Sequence, residues 1–127
     1  MASVRNPQSP DVSKLAGEDL SAAQYMMVTL ESDGVSVTLA DAITDIVYGV
    51  LQNAPDTGEA AVVRVEAETK VVASAALAVG VIVGPATTGK IQTAVATQYP
   101  RGIVVSPSGA DLDLAVIELF NSGIAKV

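Results

Sequence analysis

The sequence predicts an all-β fold, a small barrel, β-tulip-like domain or sandwich of short antiparallel strands with at most short helical turns. Apolar and polar residues alternate in short runs, which is the period of a strand with one buried face. Turn-forming clusters of Gly, Pro, Asn, Asp and Ser separate these runs. A closed barrel and a two-sheet sandwich both give this pattern, so the sequence leaves the two open.

The centre of the chain, residues 47–73, predicts three short strands in succession. Residues 47–51 form an apolar run, and residues 54–58 (APDTG) combine a proline, an aspartate and a glycine in the order of a tight turn. Residues 61–66 alternate with period two, and Ala67 with Glu68 reverses the chain into residues 69–73. We expect these strands to pair as a meander.

The N-terminal residues predict an extended arm (1–13) that precedes one β domain (14–127). Pro7 and Pro10 stand among polar residues, a composition that resists helix and gives the segment no core. A frayed terminus and a strap that orders on a partner surface both fit this composition. Residues 11–23 are expected to form a helical turn or two, which Gly17 interrupts.

A hairpin is predicted next. Residues 24–31 alternate as a strand, Asp33 and Gly34 form the strongest short-range hairpin signal, and residues 35–39 return as the second strand. Residues 40–45 are predicted to form a loop or a single turn before the central strands.

The uncharged run at residues 71–89 raises two other interpretations. A membrane span needs about twenty apolar residues, but Gly80, Gly84 and Pro85 interrupt this run, so two strands (71–73 and 81–84) with a turn near 74–80 are expected. Residues 84–90 (GPATTGK) fit the first seven positions of a phosphate-binding loop, but Ile91 replaces the Ser or Thr that such a loop requires. We expect a turn with Gly89 at positive φ and a strand over residues 91–97 instead.

The last third of the chain predicts two more strands. Residues 99–102 and 106–109 are turns that bracket a short strand at 103–105. Residues 112–120 are apolar on both faces of the predicted strand, so both faces need cover. A central position in a sheet, or a place at a subunit interface, would provide it.

Composition restricts the classes of function. The chain has 127 residues, a net charge of −7, no histidine and no cysteine. The acidic balance argues against nucleic acid as a partner, because phosphate binding depends on Lys and Arg. One Phe, no Trp and many small apolar residues give each buried side chain little area, so contacts between subunits are expected to add stability. The first ten residues lack the apolar segment of a secretion signal, which predicts synthesis in the cytoplasm.

Catalysis has few candidate residues in this chain. Hydrolytic and transfer chemistry usually draws on His, Cys or convergent carboxylates, and only the carboxylates are present. Three close pairs are candidates for an acid/base or cation site: Asp41 with Asp45, Glu66 with Glu68, and Asp111 with Asp113. Such pairs are more often a solvated rim, although calcium at Asp111 and Asp113 stays open. We therefore predict a non-enzymatic protein with no cofactor and no metal.

The order of these motifs resembles that of the small capsid cement, or head decoration, proteins of tailed bacteriophages. The residues that carry the resemblance are turn glycines and strand valines at 16–20 (AGEDL), Tyr25, 32–34 (SDG), 49–53 (GVLQN), 57–61 (TGEAA), 63–65 (VRV), 70–73 (KVVA), Gly80 and Gly102. The chain departs from the family pattern at Ala67-Glu68, where a glycine is usual, and at Gly80-Val81, where an acidic residue often follows the glycine.

The resemblance implies a compact β domain that assembles as a homotrimer on the outer surface of the phage head. There it would hold neighbouring major capsid protein subunits together, with no nucleic acid and no membrane as partner. By position and composition, the residues expected to contact the capsid are those of the arm: Val4, Arg5, Asn6, Pro7 and Gln8. A tail or fibre accessory protein of the virion is the alternative that the sequence leaves open.

Overall fold

A computed structural model of the chain describes residues 10–96 and 98–120, and this part of the chain confirms the predicted all-β class. It contains ten strands and one short 3₁₀ turn. The strands are β1 (Asp11–Ala16), β2 (Met27–Leu30), β3 (Ser36–Leu39), β4 (Gly49–Leu51), β5 (Ala60–Arg64), β6 (Ala67–Val72), β7 (Ile82–Pro85), β8 (Ile91–Thr93), β9 (Gly102–Ser106) and β10 (Leu114–Leu119).

The strands form two layers, a closed barrel and a five-stranded sheet. The barrel has the order β1-β3-β2-β4-β5 and closes through an antiparallel pairing of β5 with β1. The sheet has the order β6-β10-β9-β7-β8, and all its neighbouring strands are antiparallel. Within the barrel, β1 and β3 pair in parallel, which differs from the expectation of antiparallel strands throughout. The long connection between β1 and β3, which contains β2, permits this parallel pairing.

The first two residues of β2 and all of β4 are buried because they lie between two apolar cores. Val28 and Leu51 point into the barrel, where a cluster of small apolar residues fills the interior. Met27 and Val50 are cross-strand partners on the opposite face and pack with the inner side chains of the sheet, including Ile91 and Ile117. The period of two therefore directs neighbouring residues of one strand into different cores.

Both predicted turns of the barrel are confirmed. Gly34 has φ of 73° in the β2–β3 hairpin, and Gly58 has φ of 82° in the turn before β5. In β5 the predicted alternation holds, since Ala61 and Val63 are buried and face the barrel interior.

The expected meander is wrong at its third strand. β4 and β5 pair as predicted, but β6 pairs with β10 in the other layer. Ala67, with φ of 70°, lies where the chain leaves the barrel and enters the sheet. The last two strands were expected at residues 61–66 and 69–73 and lie at Ala60–Arg64 and Ala67–Val72, whereas the partner of β6 lies far along the chain.

The helical turn expected within residues 11–23 is also wrong. Asp11–Ala16 is strand β1, which pairs with β5 on one side and β3 on the other. Residues 11–13, counted above with the arm, are thus part of the barrel. Two strand neighbours give this segment more backbone hydrogen bonds than a short exposed helical turn, which explains why pairing prevails over local preference.

The uncharged run forms strands, as expected. β6 ends at Val72, β7 begins at Ile82, and Gly80 in the turn between them has φ of 90°. Thr87–Gly89 forms the 3₁₀ turn with Gly89 at φ of 79°, and strand β8 follows, where a phosphate-binding loop would have a helix. No helix in the described part of the chain is long and apolar enough to cross a membrane.

Strands β8 and β10 have different places in the sheet, since β8 is an edge strand and β10 is an inner strand. β8 ends at Thr93, before the predicted residue 97, because the buried Gln98 accepts a hydrogen bond from Val95 N through its side-chain oxygen and closes the chain into a loop. β10 has a central position between β6 and β9, which is one of the two places expected for it. Its inner side chains are buried, whereas Leu114 on the outer face is exposed.

Candidate functional site at the terminal cleft

A cleft of about 630 Å³ lies between the barrel and the sheet. We call it the terminal cleft. The barrel contributes the end of β2, the segment before β4 and the segment after β5, and the sheet contributes the segment before β9 and the end of β10. Its lining residues are Leu30, Ile46, Val47, Tyr48, Val65, Glu66, Arg101, Leu119 and Phe120.

Arg101 joins the two layers at this cleft. Its Nε donates to the carbonyl oxygen of Val47 (3.2 Å), and Nη1 donates to that of Phe120 (2.7 Å). Its Nη2 donates to the carbonyl oxygens of Tyr48 (3.0 Å) and Val65 (2.7 Å). One guanidinium therefore satisfies carbonyl groups of three barrel residues and of the chain after β10.

The fixed fork of donors explains why arginine suits this position. Five N–H groups in one plane can reach several carbonyl oxygens at once, which an ammonium group cannot do. Burial lowers the pKa of Arg101 below the ordinary value of an arginine. Because arginine still stays protonated at neutral pH, the cleft keeps a positive charge at its base.

The described chain begins and ends at the terminal cleft. Val65 N donates to the carbonyl oxygen of Pro10 (2.9 Å), and Pro10 immediately precedes β1. Phe120 follows β10, and its N donates to the carbonyl oxygen of Arg101 (3.0 Å). The capsid-binding residues predicted from the sequence, Val4, Arg5, Asn6, Pro7 and Gln8, lie outside the described residues, but Pro10 places their point of attachment beside the cleft.

The rim of the cleft is apolar. Ile46 is 56% exposed and Leu30 is 39% exposed, although both are large aliphatic residues. Tyr48 lines the cleft with them, and the ammonium group of Lys14 lies over its ring, 5.7 Å from the ring centre. Glu66 supplies a carboxyl group among these apolar residues. The cleft thus combines exposed aliphatic side chains with an acidic group at the point where the arm joins the domain.

Three of the candidate carboxylates, Asp45, Asp111 and Asp113, each bind a partner outside their own carboxylate pair in the described chain. Asp45 caps its own turn, because its carboxylate accepts hydrogen bonds from Asp41 N and Ala42 N. Asp111 pairs with Lys90 (2.9 Å), and Asp113 accepts a hydrogen bond from Gly109 N (3.0 Å).

The third pair is divided between two places. Glu66 lies at the terminal cleft, and Glu68 is on β6. Among the described residues, no group of three or more acidic side chains is arranged to hold a metal ion.

A smaller cleft of about 360 Å³ lies at the opposite end of the strands, and we call it the distal cleft. Met26 before β2 and Leu112 before β10 line it, whereas the ends of the same two strands line the terminal cleft. Thr88 and Leu112 both have positive φ, 64° and 72°, and Leu112 is 65% exposed. Non-glycine residues rarely adopt this backbone conformation.

Arg101 was not singled out as functional in the sequence, where it stood only within a predicted turn. The chain has seven basic residues, and Arg101 lies between Pro100 and Gly102 immediately before a strand. The sequence feature that could have indicated a role for Arg101 is that it is the one basic residue in an otherwise uncharged turn. Its four acceptors come from segments up to 54 residues away, so no local pattern could reveal them.

Comparisons with known proteins support the fold and name no family. No protein family model and no curated protein sequence matches the chain. Among solved structures, the chain is similar to the N-terminal base of the head fibre protein gp8.5 of bacteriophage phi29, with a TM-score of 0.67 and 17% sequence identity. The match covers 92% of this chain and 96% of the phi29 chain, so the two share a fold over almost their full lengths.

Proposed function

We propose that the chain is a structural protein of a bacteriophage head, which binds the outer surface of the head as a homotrimer. In this role it stabilises the contacts between subunits of the major capsid protein. The fold match with the phi29 head fibre base carries the proposal, because it extends over nearly the whole of both chains. The order of turn and strand motifs, which resembles that of head decoration proteins, supports the same role independently.

The net charge of the chain fits an exterior position. A net charge of −7 opposes binding to packaged DNA but is compatible with the outside of a shell. Many copies, each bound across a junction between capsid subunits, would all resist separation of those subunits. A modest affinity at each site then becomes a large collective stabilisation.

We propose that the terminal cleft faces the head. The arm leaves the domain there, and the exposed Ile46 and Leu30 give the cleft an apolar rim. Clustered exposed apolar side chains are typical of interaction surfaces. Within the arm, Arg5 is the residue expected to pair with a capsid carboxylate.

Co-sedimentation with phage heads stripped of their accessory proteins tests this proposal. The full chain is compared with a variant that lacks residues 1–9, which leaves β1 intact because that strand begins at Asp11. Full-length protein is expected to bind saturably at the local three-fold positions of the head, and the truncated protein is expected to bind less. The proposal fails if folded full-length protein stays in the supernatant.

Single substitutions test the cleft and the arm separately. Ile46→Glu is expected to weaken head binding about tenfold, the effect of one lost apolar contact of about 1.4 kcal/mol. Val35→Glu is the matched control, because Val35 is a similarly exposed aliphatic residue on the β2–β3 hairpin, outside the cleft. Arg5→Glu is likewise compared with Ser3→Glu. Equal effects of each variant and its control would argue against specific contacts.

A phage tail or fibre accessory protein is the alternative role, and the similarity to a head fibre base favours the fibre role within this alternative. Copy number distinguishes the two roles. A head-stabilising protein should be present at many copies per particle, matching the number of three-fold positions, whereas a tail part should be present at few. Quantitative mass spectrometry of purified particles measures this number.

A further inference from the structure

The outer face of the second sheet is more apolar than a solvent-facing sheet surface should be. Its inner face packs on the barrel, so alternation predicts polar residues on the outside. Instead Ile82, Val105 and Leu114 are exposed there at 41%, 38% and 47%, and Ile103 and Val116 are half-buried between them. We call the surface of these five side chains, together with Glu68, Lys70 and Glu118, the outer face.

Strand register shows that the apolar side chains are contiguous. Ile82 of β7 lies directly opposite Ile103 of β9, and both point outward. On β10, Leu114 and Val116 share the outward side, and Leu114 lies opposite Val72 of β6. The strip of five apolar side chains therefore crosses three strands, β7, β9 and β10, a width of roughly 10 Å at the usual strand spacing.

The charges on the outer face are unbalanced within one molecule. Glu118 and Glu68 are direct cross-strand partners, an arrangement of like charges that destabilises a sheet. Neither carboxylate forms a salt bridge with another described residue. Lys70 points to the same face, two residues along β6, and its ammonium group lies 5.8 Å from the ring centre of Tyr25.

A second copy of this chain has the complementary chemistry. It brings its own aliphatic strip to cover the first one and its own Lys70 to approach the acidic pair. A nucleic acid or an acidic partner would instead place further negative charge against Glu68 and Glu118.

The direction of the face also favours a second copy. The terminal cleft opens at the ends of the strands, whereas the outer face points sideways, perpendicular to them. Copies that contact through a sideways face can all point their clefts in the same direction.

We infer that the outer face is the contact between copies of this chain in its homotrimer. This inference rests on the proposed function for the trimeric state and adds the surface that forms it. Three sheets then face a common axis, where they bury Ile82, Ile103, Val105, Leu114 and Val116 and bring each Lys70 to the carboxylates of a neighbour. The terminal clefts remain open at one end of the assembly.

Sedimentation equilibrium of the full chain, without heads, tests the inference. The wild type is expected to have three times the chain mass of 12.9 kDa. Ile82→Lys and Leu114→Lys are expected to weaken association on the order of 30-fold or more, as loss of a central apolar contact does. Val35→Lys is the matched control and should keep the wild-type mass, and circular dichroism confirms that each variant is folded.

A charge exchange tests whether the partner is a second copy. Lys70→Glu is expected to dissociate the trimer, and adding Glu118→Lys is expected to restore part of the association because the opposite charges are regained between copies. A monomeric wild type, or full trimer mass in both lysine variants, would overturn the inference. A trimer that fails to bind heads would instead contradict the proposed function and leave this contact standing.

Discussion

Leu112 combines two unfavourable properties, positive φ and a largely exposed aliphatic side chain. The left-handed conformation costs a residue with Cβ roughly 1–2 kcal/mol, which glycine does not pay. Leu112→Gly is expected to raise the free energy of unfolding by about 0.5–1 kcal/mol after the greater chain entropy of glycine is included. Urea unfolding measures the gain. Leu112→Ala keeps the strained backbone, so equal stability of the two variants would contradict this explanation.

Asp33 makes the β2–β3 hairpin sensitive to acid. Hydrogen bonds from Val35 N, and then from Ser36 N, hold the pKa of Asp33 below its ordinary value of 3.8. A lowered carboxyl pKa in the folded state adds stability above the unfolded-state pKa, and this stability is lost as pH falls through the folded-state pKa. Asp33→Asn should therefore be less stable than wild type at neutral pH, with a difference that shrinks in acid. Urea midpoints at several pH values check this, and a difference independent of pH would contradict it.

Single residues differ in how far the sequence reveals their roles. Asp33 and Gly34 were predictable, because a turn needs its carboxylate acceptor and its positive φ within a few residues. Arg101 was not, since its partners lie in distant segments. The arm residues stay a prediction, because residues 1–9 lie outside the described part of the chain.

At the scale of strands, Gly49 permits the close approach of β4 to β5. A Cβ at this position would lie 2.3 Å from the carbonyl oxygen of Arg64 and 2.7 Å from a methyl carbon of Val63. Since the backbone oxygen cannot move without disturbing the barrel, Gly49→Ala is expected to lower the free energy of unfolding by about 2–3 kcal/mol. Thermal unfolding provides the measurement.

Gly17→Ala is the control for this prediction. A Cβ at Gly17 would meet only the end of the Glu31 side chain, which can turn away. A similar loss of stability in both variants would show that the close contact at Gly49 does not determine the effect.

Strand positions were largely predictable from alternation, whereas strand partners were not. The β2–β3 hairpin and the β4–β5 pair were predicted with their partners because a short turn joins each pair. β6 leaves the barrel to pair with β10, more than forty residues later along the chain. β1 was not predicted because its pairing with β5 also joins distant segments of the chain. A bidentate contact between the guanidinium group of Arg64 and the carboxylate of Asp11 links these two strands.

For the whole molecule, Arg101 is the side chain that connects barrel and sheet at the terminal cleft. Arg101→Met removes all four hydrogen bonds and leaves partly buried carbonyl groups without a donor. We expect a loss on the order of 3 kcal/mol in the free energy of unfolding. Arg101→Lys should recover only part of it, because an ammonium group cannot span all four acceptors. A loss below about 1 kcal/mol for the Met variant would show that the carbonyl groups find water instead.

The position of β1 also determines how the molecule responds to force. β1 lies between β5 and β3, and its first residue is at the terminal cleft. A pull on the arm along the direction of β1 loads the hydrogen bonds of β1 to both of its neighbours. These bonds are perpendicular to the strand in the antiparallel pair with β5 and slanted in the parallel pair with β3. The bonds to both neighbours are then sheared together and do not open one after another as in a zipper. β1 therefore resists such a pull as a unit, because its backbone hydrogen bonds to both neighbours must yield together.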